Sequence, residues 1–155
     1  MMKRFLTVSL VMVMALGLLA PALRAQGTLT GLWKTIADEG PDKGKAKSYL
    51  EIFEKDGLFF ARINKLLLES QDKVCDKCKG DLKGKPLIGL VIMSEMKKTG
   101  KMDKDFGEEY AGGEIMDPEN GKSYRCKIWV KGDNLTVRGY LLAFHRTQNW
   151  YRVAN

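Results

Sequence analysis

A single histidine, His145, and three cysteines are all that this chain offers for soft-metal binding or thiol and imidazole chemistry. A zinc site needs four converging ligands, so Cys75, Cys78, Cys126 and His145 would all have to meet, and only the first two are suggestively spaced. Nothing beside His145 resembles a nucleophile motif, which leaves it as a surface or packing residue. Thiol redox chemistry at Cys75-x-x-Cys78 wants a helix amino terminus to stabilise the thiolate, whereas Lys79-Gly80-Asp81 and further turn residues follow. Glu108 and Glu109 are consecutive, and consecutive strand residues face opposite ways, so they make a poor acid/base pair. No catalytic residue, metal or cofactor is therefore expected.

Other absences bear on organisation. No long amphipathic helical pattern competes for the core. The lysines are interleaved with acids, as around Asp42, rather than stacked on one face, so the +7 formal charge does not point to a nucleic-acid partner.

What is present begins with an export signal. Lys3 and Arg4 open a basic segment, residues 5–19 form an almost unbroken apolar run, and Ala20, Ala22 and Ala25 follow. The run is shorter than the ~20 residues of a spanning helix, and no cysteine follows it to carry a lipid. The expectation is a signal peptide over 1–25, cleaved after 22 or 25, and one domain over 26–155 in the periplasm or outside the cell. In that oxidising setting one disulfide can form. By chain entropy a Cys75–Cys78 loop contributes about 2 kcal/mol and a Cys78–Cys126 loop about 4. Cys126, however, alternates with Tyr124, Ile128 and Val130, the pattern of a buried strand residue. Cys75–Cys78 is the expected pair, with a Cys126 partnership as the alternative.

Alternating apolar residues bounded by Gly, Pro and Asp-Gly turns predict eight strands. The first starts at Gly31-Leu32-Trp33; others cover 47–55, 58–64, 87–93, 110–117, 122–130, 135–141 and 145–153. Residues 65–70 read as a short helical turn and 97–107 as a polar loop. The stretch 87–93 has apolar residues on both faces, so both faces are covered or one lines a cavity. The fold class is all-β, an eight-stranded antiparallel up-and-down barrel, because closure removes sticky edges; a β-sandwich is the alternative.

Several blocks, Gly31-Leu32-Trp33-Lys34, Cys75-x-x-Cys78-x-Gly80, Pro86-Leu87-Ile88-Gly89-Leu90, Asp117-Pro118-x-Asn120-Gly121-Lys122-x-Tyr124, Arg138-Gly139-Tyr140 and Arg146-Thr147-Gln148-x-Trp150, keep their order along the chain. In these the chain resembles the secreted bacterial domain of unknown function family 2147, with Tyr110 standing where a tryptophan is expected. The resemblance implies a lipocalin-like, calycin-type barrel without an assigned activity. It also implies that Trp33 on the first strand packs beneath a late arginine, either Arg146 or Arg152; Arg146 is taken as that structural partner.

An eight-stranded barrel can be filled by side chains or hold one small ligand. Candidate lining residues are Phe60, Leu90, Ile92, Tyr140, Leu142 and Trp150, with Arg62, Arg138 or Arg152 as anchor for an anionic head group. The leading expectation is thus a small hydrophobic or amphiphilic ligand held by Arg62, Arg138, Tyr140, Trp150 and Arg152. A ligand-free module that contacts an envelope or protein partner is the alternative.

Overall fold

The computed structural model describes residues 27–154. The expected signal peptide lies outside the described residues. Eight strands, β1 (Gly31–Ile36), β2 (Ala46–Lys55), β3 (Leu58–Leu66), β4 (Val91–Asp103), β5 (Gly107–Asp117), β6 (Lys122–Lys131), β7 (Asn134–Leu141) and β8 (Phe144–Arg152), follow one another around a closed antiparallel barrel. Sequential neighbours pair throughout, and β1 closes on β8 through Trp33↔Arg152 and Lys34↔Tyr151. This is the expected up-and-down barrel, not the sandwich.

Local chemistry explains most of the turns. Asp56 and Gly57 both have positive φ (52° and 75°), the backbone that a two-residue hairpin between right-twisted strands requires. At the β5–β6 turn the Asp117 carboxylate accepts from the Glu119 N–H at 2.9 Å and from the Asn120 side-chain amide at 2.8 Å.

Three expected boundaries differ. Residues 97–103, expected as a loop, continue β4 and pair with β5 as far as Asp103↔Gly107. Their side chains are almost all exposed, so the apolar alternation that marks a half-buried strand is missing although the ladder is present. Residues 87–90, expected as strand, form a turn with Gly89 at φ 84°; Leu87 and Leu90 are still buried, which accounts for the apolar run. Residues 65–70 contain no helix: β3 runs to Leu66 and then bends, with Gln71 bonding the Leu66 backbone through both its amide oxygen and nitrogen.

The barrel is packed at one end only. Trp33, Ile52, Ala61, Met93, Met96, Ile128 and Leu135 are fully buried in the half where β1 begins and β8 ends. Arg152 lies over the Trp33 ring, its guanidinium carbon 4.2 Å from the centroid, and donates to the Thr30 carbonyl at 3.1 Å and to the Thr28 carbonyl. The indole Nε1 donates to the Leu29 carbonyl at 2.9 Å. These contacts seal that end. Arg152 thus takes the role expected of Arg146, because it is Arg152 that reaches the ring from the end of β8.

The other end carries the longest connection, residues 67–90. Cys75 and Cys78 form a disulfide within it, and Cys126 is free and buried on β6. The connection folds onto the β5–β6 turn, where a Cβ at Gly121 would meet the Lys77 carbonyl at 1.8 Å; only glycine permits this approach, and its φ of 68° also suits glycine. Converting both Cys75 and Cys78 to serine is expected to lower stability by about 2 kcal/mol, as measured by urea unfolding, while leaving the barrel intact. A loss much above that would show that the disulfide also holds the barrel wall.

Candidate functional site

Above the packed half, side chains leave the barrel interior unfilled. A cavity of about 570 Å³ extends from Trp150 to the mouth, within the roughly 300–1,000 Å³ typical of small-ligand sites. Its inner wall is apolar: Leu50, Ile63, Ile92, Ile115 and Val137 surround it with Trp150. Alternation along each strand sends these side chains inward, as Leu50 and Ile52 on β2 or Leu135 and Val137 on β7 illustrate. Gly139, next on the inward face of β7, contributes no side chain, and the space beside it stays open.

The mouth is charged. Lys47 pairs with Glu119 at 2.7 Å and Lys73 with Glu69 at 2.6 Å on its rim. Arg146 donates from Nε to Asp38 at 2.9 Å and from Nη2 to Glu39 at 3.0 Å. Gln148 lies below and donates to Asp38 at 3.0 Å, and the Trp150 indole N–H points at the Gln148 amide oxygen, 3.4 Å away. A polar line therefore descends one wall from rim to floor, and the buried hydroxyls of Thr35 and Ser48, 2.7 Å apart, add a second polar spot to a lining that is otherwise mostly hydrocarbon.

Burial of Asp38 opposes its ionisation, but the hydrogen bonds from Arg146 and Gln148, with the guanidinium charge, outweigh that and hold its carboxyl below the ordinary value. Such a group contributes stability that is complete above its unfolded pKa of 3.8 and disappears as pH falls through the lower folded value. The Tm difference between the wild type and Asp38→Asn is thus expected to be present near neutral pH and to vanish in acid. A difference that persists at low pH would mean the amide disturbs packing rather than charge.

The sequence-predicted residues are divided by the barrel wall. Trp150 and Ile92 line the cavity as expected. Arg62 lies outside, paired with Glu51 at 2.8 Å and stacked on Phe53, with Phe60 beside it. Arg138 also lies outside, over Trp129 at 5.1 Å and Phe106 at 5.7 Å, and Tyr140 makes a tilted ring contact with His145. The physical reason is parity: Arg138 and Tyr140 do share a face, but the inward face of β7 belongs to Leu135, Val137 and Gly139. Arg152 is at the sealed end, Leu90 is in the core, and Leu142 is at an exposed hairpin tip. Arg146, expected to pack over Trp33, is the arginine that reaches the cavity mouth. Sequence reasoning did not find Asp38, Gln148 or Gly139. The Leu135-x-Val137-x-Gly139 alternation was the available signal for the last.

Reactive alternatives find little geometry. The disulfide is followed by one 3-10 turn, Gly80–Leu82, after its second cysteine. Burial pushes the Cys126 thiol up to about 12, which leaves it protonated. Glu108 bonds to Lys98 and the Tyr110 hydroxyl, whereas Glu109 pairs with Lys127 at 3.5 Å. Among the described residues no group of three or more His, Cys, Asp and Glu side chains is placed to hold a metal ion.

Comparison with known proteins agrees with this architecture. A family model described as an uncharacterized protein conserved in bacteria, DUF2147, matches residues 31–152. Among solved structures, protein HP1028 from the human pathogen Helicobacter pylori, described as belonging to the lipocalin family, superposes with a TM-score of 0.67 at 22% sequence identity; the match covers 83% of this chain and 84% of that one. No curated protein matches the sequence.

Proposed function

The chain belongs to the DUF2147 family and folds as a lipocalin-like barrel, and on that footing we propose that it is an exported, non-enzymatic protein that holds a small hydrophobic or amphiphilic molecule in the open half of its barrel. The observation that carries this reading is the 570 Å³ cavity, apolar within and charged at its mouth. A hydrocarbon portion gains by leaving water for the wall of Leu50, Ile63, Ile115 and Val137, at about 25 cal/mol per Å² buried. A polar end then meets the Gln148 amide and the rim. Asp38 and Glu39 already occupy the Arg146 guanidinium, so the mouth suits a neutral or hydrogen-bonding head group better than a bare anion. Export is supported by the amino-terminal sequence and fits the Cys75–Cys78 disulfide.

Native mass spectrometry of protein purified from its own export compartment tests the reading. A stoichiometric adduct, released on denaturation and identified as an apolar or amphiphilic compound, is the expected result. A clean unliganded mass in repeated preparations, with no uptake from a lipid extract, would overturn it.

A further inference from the structure

The β7–β8 hairpin ends in a tip with no polar side chain: Leu141, Leu142, Ala143 and Phe144. Leu142 is 85% exposed, Phe144 78% and Leu141 50%, which sets them apart from the buried apolar side chains of the barrel. Leu142 also holds a positive φ of 54°, a conformation that favours Gly or Asn and strains a leucine. An exposed leucine in a strained turn serves neither packing nor turn formation.

The charge around the tip gives it a direction. Leu141 shares a shallow depression with Leu82, Lys79 and Lys122. Across residues 77–85, four lysines, Lys77, Lys79, Lys83 and Lys85, stand against one acid, Asp81. Among the described residues none of these four lysines, nor Lys122, has an ion-pair partner, whereas Lys47 and Lys73 at the same mouth are both paired. Apolar side chains flanked by unpaired lysines match the layering of an anionic bilayer, in which hydrocarbon lies below a sheet of phosphates.

We propose that the open end of the barrel docks on anionic phospholipid membranes, with the β7–β8 tip and Leu82 in the acyl boundary and Lys79, Lys122 and their neighbours on the phosphates. Phe144 and Leu141 line the cavity as well as the tip, so the docked mouth opens onto the lipid surface. The proposal stands on the exposed tip and the lysines, independently of whether the cavity holds a ligand.

The test is co-flotation of the processed protein with vesicles of phosphatidylcholine alone, or with phosphatidylglycerol as the minority lipid. Binding to the anionic vesicles is expected, weaker on neutral ones and weakened by salt. Leu142→Asn with Leu82→Ser should reduce it about tenfold or more, and so should Lys79→Glu with Lys122→Glu. Asparagine tolerates the backbone at 142, so misfolding does not explain a loss; neither Leu142 nor Leu82 lines the cavity, and dye uptake in vesicle-free solution reports that site separately. Absence of binding to both compositions overturns docking, as does binding that survives either pair of substitutions. So does a dimer, seen by sedimentation and lost in the Leu142 variant, since the tip would then bind a second copy of the chain.

Discussion

Trp33→Ala should leave the barrel close to the limit of stability, lowering the free energy of unfolding by about 3–5 kcal/mol against the roughly 5–15 kcal/mol of a typical domain. The indole is completely buried, fills the sealed end, and satisfies the Leu29 carbonyl. Its removal also strips Arg152 of the ring on which the guanidinium lies. Urea unfolding followed by far-ultraviolet circular dichroism measures the loss. Arg152→Ala should cost less, because the ring stays buried, although the Thr30 carbonyl loses its donor. The double variant separates the shared part: a coupling energy of about 1–2 kcal/mol is expected if ring and guanidinium act together. Additive effects would show that the arginine stabilises only through the carbonyls.

Gly139→Leu should weaken uptake sharply while leaving the fold intact. A Cβ at Gly139 would stand 3.4 Å from the Tyr124 Cβ and 3.7 Å from Ile115, ordinary contact distances, and its φ lies outside the region reserved for glycine. The added isobutyl group therefore has room, and the room it takes is the cavity's. Titration with N-phenylnaphthylamine, an uncharged apolar dye, should show affinity lower by about tenfold or more, with Tm unchanged or raised because the new side chain fills a void. Unchanged dye affinity would place the binding surface outside the barrel.

The sequence made the barrel legible because its strands carry their turns with them. Asp56-Gly57 and Asp117-Pro118-Glu119-Asn120-Gly121 mark hairpins by backbone chemistry alone, and they sit where the structure turns. The outer part of β4 escaped because neither of its faces is buried; ladder bonds leave no trace in side-chain composition. The candidate site was less legible for a related reason. Alternation shows which residues share a face, not which face is interior, and on β3 and β7 the basic residues Arg62 and Arg138 turned out to ornament the outside. Trp150 was found because β8 presents Arg146, Gln148, Trp150 and Arg152 along one inward line, but sequence does not measure depth. Arg152 at the sealed end and Arg146 at the mouth lie on that line with opposite duties. Asp38 could not be anticipated at all, since its partner Arg146 is more than a hundred residues away in the chain.

The separation of a packed half from an empty half has a consequence for how such a protein changes over time. Persistence of the fold rests on Trp33, Arg152, Met93, Ile128 and Leu135, whereas under the proposed function the choice of cargo would fall to cavity residues at the opposite pole, such as Val137, Gly139 and Gln148. Substitutions that retune the cargo therefore seldom fall on those that keep the chain folded, and distant sites tend to act additively. A lineage can exchange one guest for another by small steps at the mouth without first acquiring spare stability, so a common architecture is compatible with divergent cargoes.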